Sequence, residues 1–554
     1  MDDLAHRVFV DFFERLQPGL GTLAGLVLKK LEEGHLCLDP ETLDPSLPEE
    51  KLPPGILEPG PYLTHNPEEV KPFILYKGNV YFQRYFKYET NIVQKIFALI
   101  EEEQHVRQKR KELLYQHFLQ EDVEQMLPAL LNNFCIITGG PGTGKTTLIG
   151  KVLQILYTID PNLKVALAAP TGKAAARMNE SLSKLKSQFP QIPAASTVHR
   201  LLGAIQGSVF FKHHADNLLE HDMVVIDESS MVDGALMAKL LEAVDSTKRL
   251  VLLGDKDQLA SVEAGSVFGD LCHAAFTQGS VIEDHIIHLI ESHRFNKEEG
   301  IGLFSRSVLQ GSTGCIKQFS DNPDPALSID TQYNQTAFED YVKDYLQYIK
   351  ELDTAKALEK LNRVKVLCAV REGPYGVYHT NRRIEEYLEK QNGNNDVYHS
   401  LHPRYGFYHN QPVMVTANRY DLGLFNGDIG LIRYEYPPEP DKELPPLFAW
   451  FPGPDGKLLK IPPGYLTGYE TVFAMTINKS QGSESDRILV LLPDCKDIPL
   501  LTRELLYTAV TRAKEQVLVQ GTMEVLEKTI LQKISRVSGL EARLQNKDHA
   551  VWEP

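Results

Sequence analysis

No window of this 554-residue chain approaches the roughly 18 uninterrupted apolar residues that a membrane span needs. Basic residues are not in excess either: 58 Lys and Arg stand against 74 Asp and Glu, a formal charge of −16. Contacts to nucleic-acid phosphates normally show as surplus Lys and Arg. A phosphate-tracking groove in this chain must therefore gather its cations locally, or the acidic remainder must meet a protein partner. Cysteine is scarce. Cys37, Cys135, Cys272, Cys315, Cys368 and Cys495 are scattered and form no CxxC pair, which argues against a zinc site and for reduced thiols inside a cell. The opening "MDDLAHRVFVDFFERL" lacks the basic-then-apolar run of a signal peptide, so the expected location is the cytoplasm. No D…DxK-like cluster is present, and nuclease chemistry is not expected of this chain. There is no long-period repeat.

What is present divides along the chain. The length suits three or four domains. Val8, Phe12 and Leu16, then Leu20, Leu23, Val27 and Leu31, recur at helical spacing and predict two amphipathic helices broken at Pro18-Gly19. "PETLDPSLPEEKLPPGILEPGP" reads as an extended linker or irregular surface loop. "NVYFQRYFKYETNIVQKIFALIEEE" predicts a short strand and a helix, and the mixed charges of "EEEQHVRQKRKE" a solvated helix face. From residue 130 the texture changes. "NFCIITGG", "KVALAAPTG", "HDMVVIDES" and "KRLVLLGDKDQ" are apolar runs ending in small or polar residues, as strands buried on both faces of a parallel sheet read. "RVKVLCAV", "TVFAMTIN", "RILVLLP" and "EQVLVQG" repeat the pattern and predict a second α/β domain. Between them, 407–470 holds strand-like runs separated by Asn-Gly-Asp and Pro-Asp-Gly turns, a small β-barrel-like insertion.

Within "CIITGGPGTGKTTLIG" the match to GxxxxGK[ST] follows an apolar strand and precedes a helix-compatible run. Four glycines so close together are poor core builders, and make sense where something approaches the backbone. Converging amides and a helix N-terminus suit phosphate. Gly139, Gly140, Pro141, Gly142, Thr143, Gly144, Lys145, Thr146 and Thr147 are the expected nucleotide cradle. Lys145 would neutralise the outer phosphates, and Thr146 would ligate Mg²⁺. "MVVIDESS" delivers Asp227, suited to the metal, and Glu228, suited to orienting or deprotonating water. Gln258 lies on the loop after the next strand, within reach of the γ-phosphate.

"GGPGTGKTT", "APTGKAAARM", "STVHRLLG", "VVIDESSMVD", "LLGDKDQLASVEAGSVF", "SHRF", "NGDIG", "AMTINKSQGSESD" and "YTAVTRAK" occur in the order seen in superfamily 1 DNA helicases, and the chain resembles their RecD-type branch over residues 5–525. "GHLCLD" and "VYFQRYFKYE" extend the likeness toward the N-terminus. The resemblance implies an α/β fold: two RecA-like P-loop NTPase domains with parallel sheets, a small β-barrel (SH3/OB-like) insertion in the second, and a mainly helical N-terminal domain. The implied division is 1–110 for partner interaction, 111–295 for the first RecA-like domain, and 296–406 for connecting helices and the start of the second. The insertion takes 407–470 and the remainder of the second domain 471–554. It implies ATP and Mg²⁺ as cofactors, an ATP-hydrolysing motor moving 5′→3′ on single-stranded DNA, and RecB-like and RecC-like subunits as partners, one of them carrying the nuclease. Arg512 matches an arginine finger and Arg294 a second γ-phosphate arginine. Arginine suits both, since its fork is always charged and pairs bidentately with phosphate oxygens. His293 stands where related helicases stack an aromatic on adenine.

The expected DNA-contacting residues are Thr171, Gly172, Lys173, Ser196, Thr197 and His199 from the first domain, and Thr476, Lys479, Ser480 and Gln481 from the second. Such a set grips a backbone without reading bases. Two places depart from the family pattern. Asn478 stands where a histidine often precedes the lysine of the KSQG motif. No glutamine ahead of the phosphate loop falls in register for adenine, Gln120 and Gln125 being the nearest. A stand-alone RecD-like helicase and a non-motor ATP-binding scaffold are the alternative readings; DNA-stimulated ATP hydrolysis separates the scaffold from the motor.

Overall fold

The structure is a computed structural model that describes residues 3–545 apart from 45, 206, 393–405, 420, 437–444 and 454–456. The expected Pro-Asp-Gly turn at 454–456 lies outside the described residues. None of the described helices is long and apolar enough to cross a membrane. All six cysteines are free thiols, and all except Cys495 are buried.

The first two helices are Asp3–Leu16 and Leu20–Glu32, broken where expected by a left-handed Gly19. The Glu14 carboxylate accepts from the amides of Gly19 (2.9 Å) and Gly21 (3.1 Å), satisfying donors at the start of the second helix. The second helix buries Leu20, Leu23 and Val27 as its spacing predicts. The first does not. Val8, Phe12 and Leu16 are 61%, 56% and 39% exposed, and Phe9 and Phe13 turn inward, with Phe13 edge-on to Phe73 at 5.2 Å. Both sets have helical spacing, so periodicity alone does not choose between the two faces. A small sheet completes this region: β1 (Leu63–Thr64), β2 (Phe73–Tyr76) and β3 (Asn79–Phe82), in that order. The proline-rich stretch before it carries two short 3-10 turns.

Helix Gln83–His117 crosses residue 110 without a break. Its apolar face, Ile92, Val93, Ile96 and Leu99, enters the core of the first large sheet. The charge-rich stretch is mostly solvated, but Arg110 is half-buried and donates to Leu131 O (2.8 Å), and Glu103 is buried, accepts from the Asn133 amide (2.8 Å) and pairs with His285 Nε2 (3.0 Å).

That sheet consists of β4 (Phe134–Gly139), β5 (Val165–Ala169), β6 (Ser196–Thr197), β7 (Met223–Ile226), β8 (Arg249–Gly254) and β9 (Ile286–Leu289). All its pairings are parallel, in the order β6-β5-β7-β8-β4-β9. β10 (Leu327–Asp330) and β11 (Val364–Cys368) begin a second parallel sheet. The chain then leaves for an antiparallel one: β12 (Gln411–Val415), β13 (Ile429–Tyr434), β14 (Leu447–Pro452), β15 (Leu458–Ile461) and β16 (Tyr469–Thr471), ordered β15-β14-β13-β12-β16. It returns as β17 (Ala474–Thr476), β18 (Ser485–Leu491) and β19 (Ala513–Gln520), giving the order β10-β19-β18-β11-β17. The fold expected from the resemblance is present. The insertion has its own core around Val413, Ile432 and Phe451. Buried Arg433 ties it to the second domain, donating to Asn410 Oδ1 (2.8 Å) and Tyr348 O (2.9 Å).

After helix Met523–Leu531 the chain crosses back to the first domain. Ile534 N still donates to Glu504 of the second domain (3.0 Å), whereas Arg536 Nη2 already donates to Ser261 O of the first (2.7 Å). Leu540 and Leu544 join the first domain's core. Arg543, almost fully buried, lies 3.3 Å from Glu89, which also accepts from Gly539 N (2.9 Å) and Tyr81 OH (3.2 Å).

Candidate active site

β4, β8 and β7 are neighbours and run parallel, so their carboxyl ends carry the loops after Gly139, Gly254 and Ile226 to one edge. The first of these loops is the glycine-rich one. Gly142 and Gly144 take left-handed φ of 76° and 87°, and helix Lys145–Ile159 starts at once. Two glycines are required by what touches them. A Cβ on Gly140 would stand 2.9 Å from the Tyr507 hydroxyl of the second domain, and one on Gly142 would stand 2.5 Å from Arg294 Cβ. Lys145 Nζ donates to the carbonyls of Gly139 (2.5 Å) and Gly140 (3.2 Å), and Thr143 Oγ1 to Gly140 O (2.8 Å). From the segment after β9, Ser292 Oγ donates to Pro141 O (3.0 Å) and His293 N to Gly142 O (2.9 Å), holding the loop from outside. Thr146 lies on the first helical turn and Thr147 beyond it is exposed.

Asp227 and Glu228 follow β7 directly. The Glu228 amide donates to Asp227 Oδ1 (2.8 Å), and Glu228 itself holds a left-handed φ of 51°. A non-glycine residue there stores backbone strain of about 1–3 kcal/mol, which persists where the surroundings over-determine it. Burial and the neighbouring Glu228 push the Asp227 carboxyl up to about 6, opposed by Lys145 and Arg177. The described residues include no cluster of three or more His, Cys, Asp or Glu suited to a metal. A hydroxyl and one carboxylate fit an Mg²⁺ that keeps phosphate and water as its other ligands.

The second domain closes over this edge. Gln258 Nε2 donates to Asp255 Oδ2 (2.9 Å), Tyr507 OH donates to the same oxygen (3.1 Å), and Arg512 Nη2 donates to Gln258 Oε1. Leu259 N donates to Thr508 Oγ1 (2.8 Å) and Gln481 Nε2 to Leu259 O (2.7 Å). Lys145, Asp227, Glu228, Gln258 and Arg512 therefore share one cleft, with Arg512 only 3% exposed. Arg294 rims the phosphate loop and pairs with Glu484 (2.7 Å), which also pairs with Arg177 (2.6 Å).

The residues expected to contact DNA divide into two kinds. Thr171 and Thr197 cap the helices Gly172–Ser181 and Val198–Leu202, accepting from Ala174 N and Arg200 N (3.2 Å each). Gly172 lies against Phe425 beside the insertion's Asn-Gly-Asp turn, and burial pushes the Lys173 ammonium down to about 8. Ser196 donates weakly to Thr197 O (3.4 Å), and His199 stacks obliquely on Phe211. Thr476 Oγ1 accepts from Lys479 N (3.4 Å), and Lys479 pairs with Glu470 (2.7 Å). Ser480 and Gln481 are buried. Ser480 donates to Ile477 O (2.6 Å), and Gln481 is an interdomain contact.

Asp255, Tyr507, Arg177 and Glu484 belong to this cleft and were not picked out by the sequence reading. Each lies within a quoted motif, but only cross-chain geometry shows that Tyr507 reaches Asp255 and that Glu484 reaches both arginines.

A family model described as AAA domain matches residues 122–264, and one described as UvrD-like helicase C-terminal domain matches 471–519. The chain is 36% identical over 502 residues to the RecBCD enzyme subunit RecD of Mycolicibacterium smegmatis, covering 85% of this chain and 83% of that protein. It is 31% identical over 592 residues to the subunit of the same name from Haemophilus influenzae, covering 95% and 89%. To the ATP-dependent RecD2 DNA helicase of Deinococcus radiodurans it is 31% identical over 389 residues, covering 70% of this chain and 47% of that protein.

Proposed function

The chain belongs to the RecD family and is an ATP-dependent DNA helicase; from that premise we propose that it moves 5′→3′ on single-stranded DNA as one subunit of an assembly with RecB-like and RecC-like chains. Such an assembly would act in double-strand break repair and recombination in the cytoplasm. The names of its relatives, RecBCD enzyme subunits, support the partner assignment. The observation that carries the motor reading is Arg512 of the second domain bonded to Gln258 of the first, over the edge that holds Lys145.

In this reading the loop 139–147 cradles the triphosphate, and Lys145 leaves its carbonyl partners for the outer phosphates. Thr146 and Asp227 would hold Mg²⁺, which would supply neutralisation of phosphate charge. Glu228 orients and deprotonates the attacking water. Gln258 positions that water, and Arg512 and Arg294 face the γ-phosphate. Because Arg512 comes from the other lobe, hydrolysis proceeds only when the cleft is closed, which ties chemistry to domain motion. DNA crosses both domains on the hydroxyls, amides and cations of Thr171, Gly172, Lys173, Ser196, Thr197, His199, Thr476 and Lys479. Ser480 and Gln481 act from beneath by holding that segment and the domain contact. The proposed division keeps 111–295 and the two stretches flanking the insertion as the motor and gives 1–110 to partner contact, with helix Gln83–His117 running from that region into the motor's core.

A Lys145→Gln variant tests the reading. It is expected to remain folded and to lose single-strand-stimulated ATP hydrolysis and unwinding of a 5′-tailed duplex in the presence of partner subunits. Unchanged activities reject the assignment. Recovery of neither RecB-like nor RecC-like subunits in a pull-down transfers the activity to a stand-alone helicase.

A further inference from the structure

Glu484 joins two arginines from different parts of the cleft. One oxygen lies 2.6 Å from Arg177 Nη2 and the other 2.7 Å from Arg294 Nη2. Arg177 sits on helix Gly172–Ser181, whose first turn carries Lys173. Arg294 sits against Gly142 of the phosphate loop. The Glu484 side chain is only 11% exposed. Burial pushes its carboxyl up, but the two guanidinium groups outweigh burial and hold it below the ordinary value. Arg294 Nη1 is buried with no hydrogen-bond partner among the described residues, a donor in reserve beside the loop. Arg177 also feels the charges of Glu228 and Asp227.

We infer that Glu484 is an internal anion that holds Arg294 away from the nucleotide until a terminal phosphate displaces it, and that Arg177 makes this exchange sensitive to the DNA-facing helix. The inference rests on the motor reading above. A phosphate dianion is a stronger partner for a guanidinium than a carboxylate already shared with a second arginine. Once Arg294 turns to the phosphate, Glu484 is left with Arg177 alone, and the pull on helix Gly172–Ser181 changes. By linkage, if nucleotide changes the affinity for DNA through that helix, DNA changes the affinity for nucleotide by the same factor. Glu484 and Arg177 are thus positioning residues.

The test uses the full chain and three proteins: wild type, Glu484→Gln and Arg177→Gln. The dissociation constant of a non-hydrolysable ATP analogue with Mg²⁺ is measured with and without oligo(dT), alongside KM and kcat for ATP. Without DNA, Glu484→Gln is expected to bind the analogue more tightly than wild type, by about 5-fold or more, the lower end of usual coupling factors. Arg177→Gln leaves Glu484 wholly to Arg294 and is expected to bind more weakly. In both variants oligo(dT) no longer shifts the affinity. Opposite movement of two neutralising changes is not what a merely loosened fold gives. Weaker binding by Glu484→Gln overturns the inference, since the carboxylate would then serve the nucleotide directly. Values for Glu484→Gln equal to wild type, with the DNA response intact, overturn it too. If wild type itself shows no DNA-stimulated hydrolysis, the motor reading fails, while the affinity comparison still decides the role of Glu484.

Discussion

Arg512 donates to the side chain of Gln258 across the interdomain cleft, and Gln258 in turn donates to Asp255, which also accepts from Tyr507. The path crosses between the domains twice and fixes the arginine at the contact between the lobes. Its removal should act on the chemical step. Arg512→Ala is expected to lower kcat by about 10³-fold or more while changing analogue affinity little. Arg512→Lys should not restore it, because a point charge does not reproduce the fork. Single-turnover ATPase measurements read both, and a loss below tenfold would remove Arg512 from the finger role.

Asp227 gives a prediction with opposite effects on stability and activity. Its folded value of about 6 lies above the ordinary 3.8, raised by burial and Glu228. The stability it contributes is therefore fully present below pH 3.8 and lost as pH rises through 6. At pH 7.5 its ionised form is a burden on the nucleotide-free fold of roughly 1–3 kcal/mol. Asp227→Asn should raise the melting temperature at pH 7.5 by about 2–4 °C for each kcal/mol recovered, and the gain should shrink at pH 5. ATPase activity should vanish. Paired thermal melts at the two pH values check the sign; a destabilised variant at pH 7.5 contradicts it.

The Glu89–Arg543 pair joins the C-terminal segment to the first domain. Arg543→Met leaves a buried carboxylate uncompensated and should destabilise that domain by about 3–5 kcal/mol. Adding Glu89→Gln, which keeps an acceptor for Gly539 N, should recover most of the loss. Urea titrations followed through the first unfolding transition measure both. A single variant as stable as wild type would show that the pair contributes nothing.

Lys173 supplies a pH and salt signature for strand binding. Burial lowers its ammonium to about 8, with the nearby Arg177 acting in the same direction. It is charged below that value and neutral above it. Single-strand affinity should fall between pH 7 and 9 in wild type, and less so in Lys173→Ala. The variant should also flatten the dependence of log K on log salt by about 0.7, as for one lost phosphate contact on a single strand. Fluorescence anisotropy at several salt concentrations tests this, and an unchanged slope removes Lys173 from the contact set.

Both parallel sheets were legible in the sequence, because strands buried on two faces write themselves as uniform apolar runs, such as 134–139 and 488–491. The phosphate loop and the carboxylates after β7 were legible because their chemistry needs adjacent residues. The partners of Arg294 and Gln481 were not. Glu484 lies 190 positions from Arg294 and Leu259 lies 222 from Gln481, and nothing local marks which loop meets which across a cleft. The face of the first helix was misjudged for another reason. Val8, Phe12 and Leu16 and the pair Phe9 and Phe13 have the same spacing, and only the position of Phe73 selects the buried set.

The return of the chain to the first domain sets a limit on the stroke of the motor. Ile534 is fastened to one lobe and Arg536 to the other, with Ser535 alone between them. Two extended residues span at most about 7 Å. At that corner the lobes are stitched together and can only rock, so the width of each opening is gained on the opposite rim, like a book turning on its spine.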